Sequence, residues 1–151
     1  MLLYRLTKCV YANDLSGNGS RLYGGRWNSE GKAMIYLTSS RALAVLEALV
    51  HLPPTYMPDD YCMATIEVPD DVGAIDEKLL PKNWQDSFDL DILKQIGNAF
   101  LAERKNLLLK VPSAIVNEEY NYLLNPIHAS AQKIKVNSVK SFTFDNRLIG
   151  E

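Results

Sequence analysis

The spacing of apolar and polar positions changes several times along the chain, and each change marks an element. The opening apolar run over residues 2–6 reads as a short strand. Residues 12–31 read as one long loop, because Asn13, Asp14, Ser16, Gly17, Asn18, Gly19, Ser20, Gly24, Gly25, Asn28, Ser29 and Gly31 are turn formers or helix breakers. A loop of that length in a compact domain is more often functional than decorative. It holds Arg21, Tyr23, Arg26 and Trp27. Residues 33–38 read as a strand, and Ser39 or Ser40 is a good cap for the helix predicted over residues 42–52. Within that helix only Glu47 and His51 are not apolar, which predicts burial around most of its circumference. On a helical wheel the large apolar side chains span an arc from Leu52 through Leu46 to Leu43, and Glu47 lies about 40° beyond Leu43. Glu47 therefore falls at the border of the core.

Pro53 and Pro54 stop this helix. Residues 62–68 alternate, with Cys62, Ala64, Ile66 and Val68 on one face, and read as a strand ended by Pro69. Residues 71–88 read as loop with a short helical turn near residues 76–80. Residues 89–105 form an amphipathic helix with Leu90, Leu93, Ile96, Gly97, Phe100 and Leu101 inward. Residues 107–111 and 114–116 read as strand around Pro112 and Ser113, residues 117–124 as a short helix or turn, and residues 134–144 as a strand. The whole predicts an α+β fold, with strands gathered at both ends of the chain and helices between them.

Composition narrows the picture. A chain of 151 residues, 47% apolar and 23% charged, has room for one domain with one sizeable core. A net charge of −2 gives no global field for drawing in DNA, RNA or an anionic membrane, so an anionic ligand must be caught locally. The charge is unevenly spread, at +4 over residues 1–41, −9 over residues 42–103 and +3 over residues 104–151. Cys9 and Cys62 lie far apart and in no metal-ligand spacing, which gives little support to a disulfide scaffold or a zinc site. No leader pattern opens the sequence, and no apolar stretch approaches the roughly 20 residues that span a bilayer. The expectation is a protein of the reducing cytoplasm.

Several familiar chemistries are excluded. There is no GxxxxGK[ST] phosphate loop, no GxSxG and no HExxH, and Leu22 stands where GxGxxG needs its third glycine. What remains is a set of polar residues in segments otherwise built for burial. Two readings are open for Glu47: a structural carboxylate paired with an arginine such as Arg26 or reaching solvent, and a working carboxylate. Arg26 lies in Gly24-Gly25-Arg26-Trp27-Asn28, where the glycines let backbone approach a ligand and Trp27 offers a stacking surface. Its planar fork suits phosphate, and Arg5 offers a second fork. Read alone, Ser113 is a core hydroxyl, Tyr36 a core aromatic and His128 a turn or packing residue.

In order, Tyr4-Arg5, Gly25-Arg26-Trp27-Asn28 with Gly31, Tyr36, Leu43-Ala44 with Glu47, Pro112-Ser113, Glu119-x-Asn121, Asn125-Pro126-x-His128 and Phe144-Asp145 with Arg147 resemble the RES domain family over nearly the whole chain. The arginine, glutamate and serine that name that family match Arg26, Glu47 and Ser113. The resemblance implies a single RES domain over residues 1–151, its mixed or antiparallel sheet flanked by helices as in ADP-ribosyltransferase toxins. It also implies a toxin that degrades NAD+ by cleaving the bond between nicotinamide and ribose, with water or inorganic phosphate as acceptor. Arg26, Glu47 and Ser113 would carry the reaction, with Arg5, Tyr36, Trp27, Asn28 and His128 binding NAD+. NAD+ is then a substrate, with no cofactor or metal. The implied partner is a helix-turn-helix antitoxin of the Xre type, through which alone DNA is engaged; no membrane is involved, and a homodimer stays open. The alternative is an ADP-ribosyltransferase that modifies a macromolecule from the same NAD+ site.

Overall fold

The computed structural model describes residues 1–87 and 90–149. Among them, seven strands form one sheet: β1 (Leu2–Lys8), β2 (Ile35–Thr38), β3 (Tyr61–Glu67), β4 (Val72–Ala74), β5 (Leu108–Pro112), β6 (Tyr120–Leu124) and β7 (Lys135–Phe142). Their order is β4-β5-β6-β2-β1-β3-β7, and only the β4 and β5 pair is parallel. Three helices accompany them, α1 (Asn18–Tyr23), α2 (Arg41–Leu49) and α3 (Asp91–Glu103). This is the α+β domain with a mixed sheet and flanking helices that the sequence predicts.

One feature of the sheet decides where a ligand can go. β1 pairs with β3 along its length, from Leu2 opposite Glu67 to Lys8 opposite Tyr61, whereas β1 and β2 share a single register pair, Tyr4 opposite Thr38. The sheet is therefore two halves joined at one point, and a cleft opens where β1 and β2 diverge.

Side-chain alternation along the strands gives each face its own core. One face buries Leu3, Ile35, Leu37, Ala64, Ile66, Leu108 and Leu124 across both halves. On the other face α3 packs Leu93, Phe100 and Leu101 with Leu109, Val111 and Leu123. There α2 packs Ala44 with Leu6, Met63 and Phe144. Each fully buried Leu, Ile, Val, Phe or Met side chain contributes about 1.5–3 kcal/mol, which fixes α3 on its half of the sheet, and α2 is held on the other half by Ala44 together with Val45, Ala48 and Leu49. The gap between them lies over β2 and β6.

Several local expectations are corrected. The segment over residues 12–31 contains α1, begun at Gly17, whose φ of 70° is open to glycine, and stabilised by Arg21 donating to Asn18 Oδ1 at 2.7 Å. Ser40 caps α2 by accepting from Leu43 N at 3.1 Å, but the helix is less buried than its composition suggests, with Leu46 39% and Val50 56% exposed. Its inner stripe meets one half of the sheet only. Residues 71–88 hold β4 beside the predicted turn, which is the 3-10 turn Glu77–Leu79. The predicted start of the long helix at Asp89 lies outside the described residues. Residues 114–116 are not strand, because Ser113 Oγ accepts from Ile115 N and Val116 N, both at 3.1 Å, and turns the chain. Residues 120–124 are not helix or turn but a strand paired on both sides, by β2 and β5. Helices α1 and α2 thus each follow a strand in the first third of the chain, and α3 separates β3 and β4 from the three successive strands β5, β6 and β7.

The cysteine expectation is also corrected. Cys9 and Cys62, 53 positions apart, form a disulfide with Cα atoms 4.8 Å apart. The β1 to β3 register brings them together: Thr7 lies opposite Cys62, and Cys9, just past the strand, donates its N–H to Asp60 O at 2.8 Å. Sequence spacing carries no trace of that register.

Candidate active site

The cleft comprises two adjoining chambers. The first, about 370 Å³, lies in the split of the sheet between residues 4–7 of β1 and Met34 with β2, and Arg5 and Asp14 stand in its wall. The second, about 670 Å³, lies under the Arg26 loop and is walled by Tyr23, Gly24, Gly25, Arg26, Trp27, Pro112 and Ile115. Gly19, Ser20, Tyr36, Glu47, His51 and Asn121 border both. Glu47 and Tyr36 therefore stand at the seam, with one arginine on each side.

The Arg26 loop is held from three directions. Gly97 of α3 lies directly against the Trp27 carbonyl, where a Cβ would overlap its oxygen. Next to it, Asn98 accepts from Ser29 N at 3.1 Å and donates to Ser29 Oγ at 2.8 Å. Within the loop the fully buried Asn28 donates to Lys32 O at 2.8 Å and to Ser20 O at 3.1 Å, and its Oδ1 accepts from Ser20 Oγ at 2.8 Å. The Tyr36 hydroxyl completes this network, donating to Asn28 Oδ1 at 2.6 Å and accepting from Trp27 N at 3.1 Å. Gly25 is required here because a Cβ would stand 2.6 Å from the Tyr36 hydroxyl. The glycine serves a close approach inside the protein as well as bordering the cleft. Arg26 itself donates to Ser87 O at 2.9 Å. Its guanidinium lies 5.9 Å from the Trp84 ring centre.

Glu47 rises from α2 toward β6. Its Oε1 accepts two hydrogen bonds, from Ser113 Oγ at 3.0 Å and from Asn121 Nδ2 at 2.6 Å. Two donors on one oxygen fix the carboxylate of a residue that borders both chambers. On the far side Arg5 donates to Asp14 O at 2.8 Å. Burial lowers the pKa of the Arg5 guanidinium and the charge of Asp14 partly restores it. Burial likewise lowers that of Arg26, against the opposing charge of Glu47. Both remain cations, as arginines do in proteins. Burial pushes the Tyr36 phenol well above its ordinary range. With its hydroxyl engaged on both sides, Tyr36 offers the site its ring.

The structure thus brings Arg5, Arg26, Tyr36 and Glu47 together and places the remaining sequence candidates elsewhere or in other roles. Trp27 is 2% exposed and its indole packs against Trp84 at 6.0 Å, so the face offered for stacking is taken. Asn28 organises the loop from within. Ser113 is buried and spends its one proton on Glu47. His128 lies outside both chambers: its Nδ1 accepts from Ser130 N at 3.1 Å, and its Nε2 stands 3.9 Å from Asp71. Asn121 and His51 border the cleft without having been candidates. For Asn121 the legible signal is its place in Glu119-x-Asn121, one of the segments that carry the family resemblance. For His51 it is the four-residue step from Glu47, which puts both on one face of a helix. Among the described residues no cluster of three or more His, Cys, Asp or Glu is placed to hold a metal, and no helix is long and apolar enough to cross a membrane.

The family model described as RES domain matches residues 2–145. The chain belongs to the RES domain family. Among its relatives is the Prs ADP-ribosylating toxin of Sphingobium sp., 42% identical over 91% of this chain and 88% of the relative. A Toxin Res of Photorhabdus laumondii is 37% identical over 99% and 97% of the two chains, and one of Pseudomonas putida is 40% identical over 98% and 99%. The fold of this RES chain is similar to a chain in the crystal structure of the M. tuberculosis MbcT-MbcA toxin-antitoxin complex, with a TM-score of 0.66, 19% identity, and coverage of 94% of this chain and 84% of that one.

Proposed function

We propose that this RES protein is the toxin of a toxin–antitoxin pair and that it consumes NAD+ by breaking the bond between nicotinamide and ribose. The observation that supports this reading is the seam of the two chambers, where Glu47 and the Tyr36 ring stand between Arg5 and Arg26. A dinucleotide presents two negative charges on its pyrophosphate, and the arginines supply local cations that the net charge of the chain does not. When the C–N bond breaks, its electron pair stays on nicotinamide, which leaves neutral and without needing a proton. Positive charge develops on the ribose, and the Glu47 carboxylate, held by Ser113 and Asn121, stabilises it. The acceptor oxygen of water or phosphate then closes on the ribose carbon and releases its proton to solvent. NAD+ is the substrate, and the step asks for no further cofactor or metal.

A second reading, transfer of ADP-ribose to a macromolecule, draws support from the name of the Sphingobium relative. NAD+ labelled in its adenylate half separates the two: free ADP-ribose or its 1-phosphate supports the first, label on protein the second. The neighbour solved with its antitoxin supports a cognate antitoxin partner. We take that partner to be an Xre-type helix-turn-helix protein that alone contacts DNA, and the pair to work in the cytoplasm. Growth arrest on expression that persists in Glu47→Gln would contradict the enzymatic basis of toxicity.

A further inference from the structure

We infer that Asn121, on β6, is a positioning residue that holds the Glu47 carboxylate for the reaction and is kept there at the expense of stability; this rests on the reading of Glu47 as the working carboxylate. Two observations carry it. Asn121 Nδ2 donates to Glu47 Oε1 at 2.6 Å, shorter than the 3.0 Å bond from Ser113. The same amide leaves its Oδ1 buried without a hydrogen-bond partner, the one such side-chain atom among the described residues.

The orientation of the amide follows from the carboxylate. An ionised carboxylate only accepts, so the group facing it must be the NH2 end, and turning the amide over would set two oxygens against each other. The orphaned oxygen is thus the fixed consequence of serving Glu47. A buried polar atom without a partner opposes folding, and an apolar side chain of the same branching would fill the site more favourably. Position 121 also lies where a fixed donor is most useful. It stands opposite Thr38 of β2 and Val111 of β5 in the middle of the sheet, a rigid base, whereas Ser113 sits where the chain turns out of β5.

The experiment compares Asn121→Leu with the unaltered chain in NAD+ turnover and thermal unfolding. Leucine keeps the branch at Cγ while removing both the donor and the orphaned acceptor. The expected result is a kcat lower by about tenfold or more with KM changed by less than about threefold, since the lost bond acts on the transition state. The unfolding temperature is expected to hold or rise. A kcat within about threefold of the original, or an unfolding temperature that falls by several degrees, overturns the inference, because an amide kept for the fold alone would show that pattern. Asn121→Ser, which restores a smaller donor, is expected to recover part of kcat. If the unaltered chain leaves NAD+ intact, the reading of the site fails, while the unfolding arm still decides whether the amide is kept against stability.

Discussion

Removing the Tyr36 hydroxyl tests the link between the core and the Arg26 loop. In Tyr36→Phe the ring remains and no large cavity forms, but two hydrogen bonds are lost, the 2.6 Å bond to Asn28 Oδ1 and the 3.1 Å bond from Trp27 N. Asn28 Oδ1 keeps Ser20 as a donor, whereas the Trp27 N–H, in a residue 2% exposed, loses its acceptor. One buried unsatisfied donor costs about 1–3 kcal/mol. For a chain of this length that lowers the unfolding temperature by about 2–12 °C. A pH signature comes with it. Burial raises the folded-state pKa of Tyr36 above the unfolded value of about 10, so the phenol contributes stability that is fully present below pH 10 and is lost as pH rises toward the folded pKa. The phenylalanine variant lacks this dependence, and the stability gap between the two proteins narrows above pH 10. Thermal unfolding followed by circular dichroism at pH 7.5, 9 and 10.5 reads both effects. Equal unfolding temperatures at pH 7.5, or a gap that widens with pH, would refute the reasoning.

Two further outcomes concern how the site is held. Gly97→Ala gains helix propensity of about 1 kcal/mol but drives a Cβ into the Trp27 carbonyl, an overpacking that costs about 1–3 kcal/mol or more. The net effect is a lower unfolding temperature and, because Arg26 adjoins Trp27, a raised KM for NAD+; a more stable variant with unchanged KM would show that the approach of α3 is not tight. Reducing the Cys9 to Cys62 disulfide reopens a separation of 53 residues, worth up to about 4 kcal/mol of loop-closure entropy. Dithiothreitol therefore lowers the unfolding temperature, and coincident curves with and without it would argue against a bonded pair.

What was legible in the sequence follows the range of the forces involved. β1, β3, α3 and the Ser40 cap announce themselves through local periodicity and capping, and all four stand where the pattern puts them. β6 is misread because its first residues are polar; its strand state comes from two neighbours distant in sequence. The same blindness hides the disulfide, since only the β1 to β3 register brings Cys9 to Cys62. At the site, Arg26 and Glu47 are visible as charges in segments that should not need them. The function of Ser113 is not, because its partner lies 66 positions away on a helix. Nor does any pattern separate Arg5, inside the cleft, from His128, outside it: that distinction is made by the divergence of β1 from β2. Net charge supplies no global field for an anionic ligand, and the cations it lacks stand locally, with Arg5 in the wall of one chamber and Arg26 in that of the other.

The most direct measurement follows nicotinamide release from NAD+ by purified protein, with and without phosphate, alongside Glu47→Gln. Glutamine keeps the shape but carries no charge to stabilise the developing cation. The expected result is release by the unaltered chain, a rate lower by about a hundredfold or more in the variant, and NAD+ binding retained in both. NAD+ left intact by the unaltered chain, or a variant that turns it over equally fast, would contradict it.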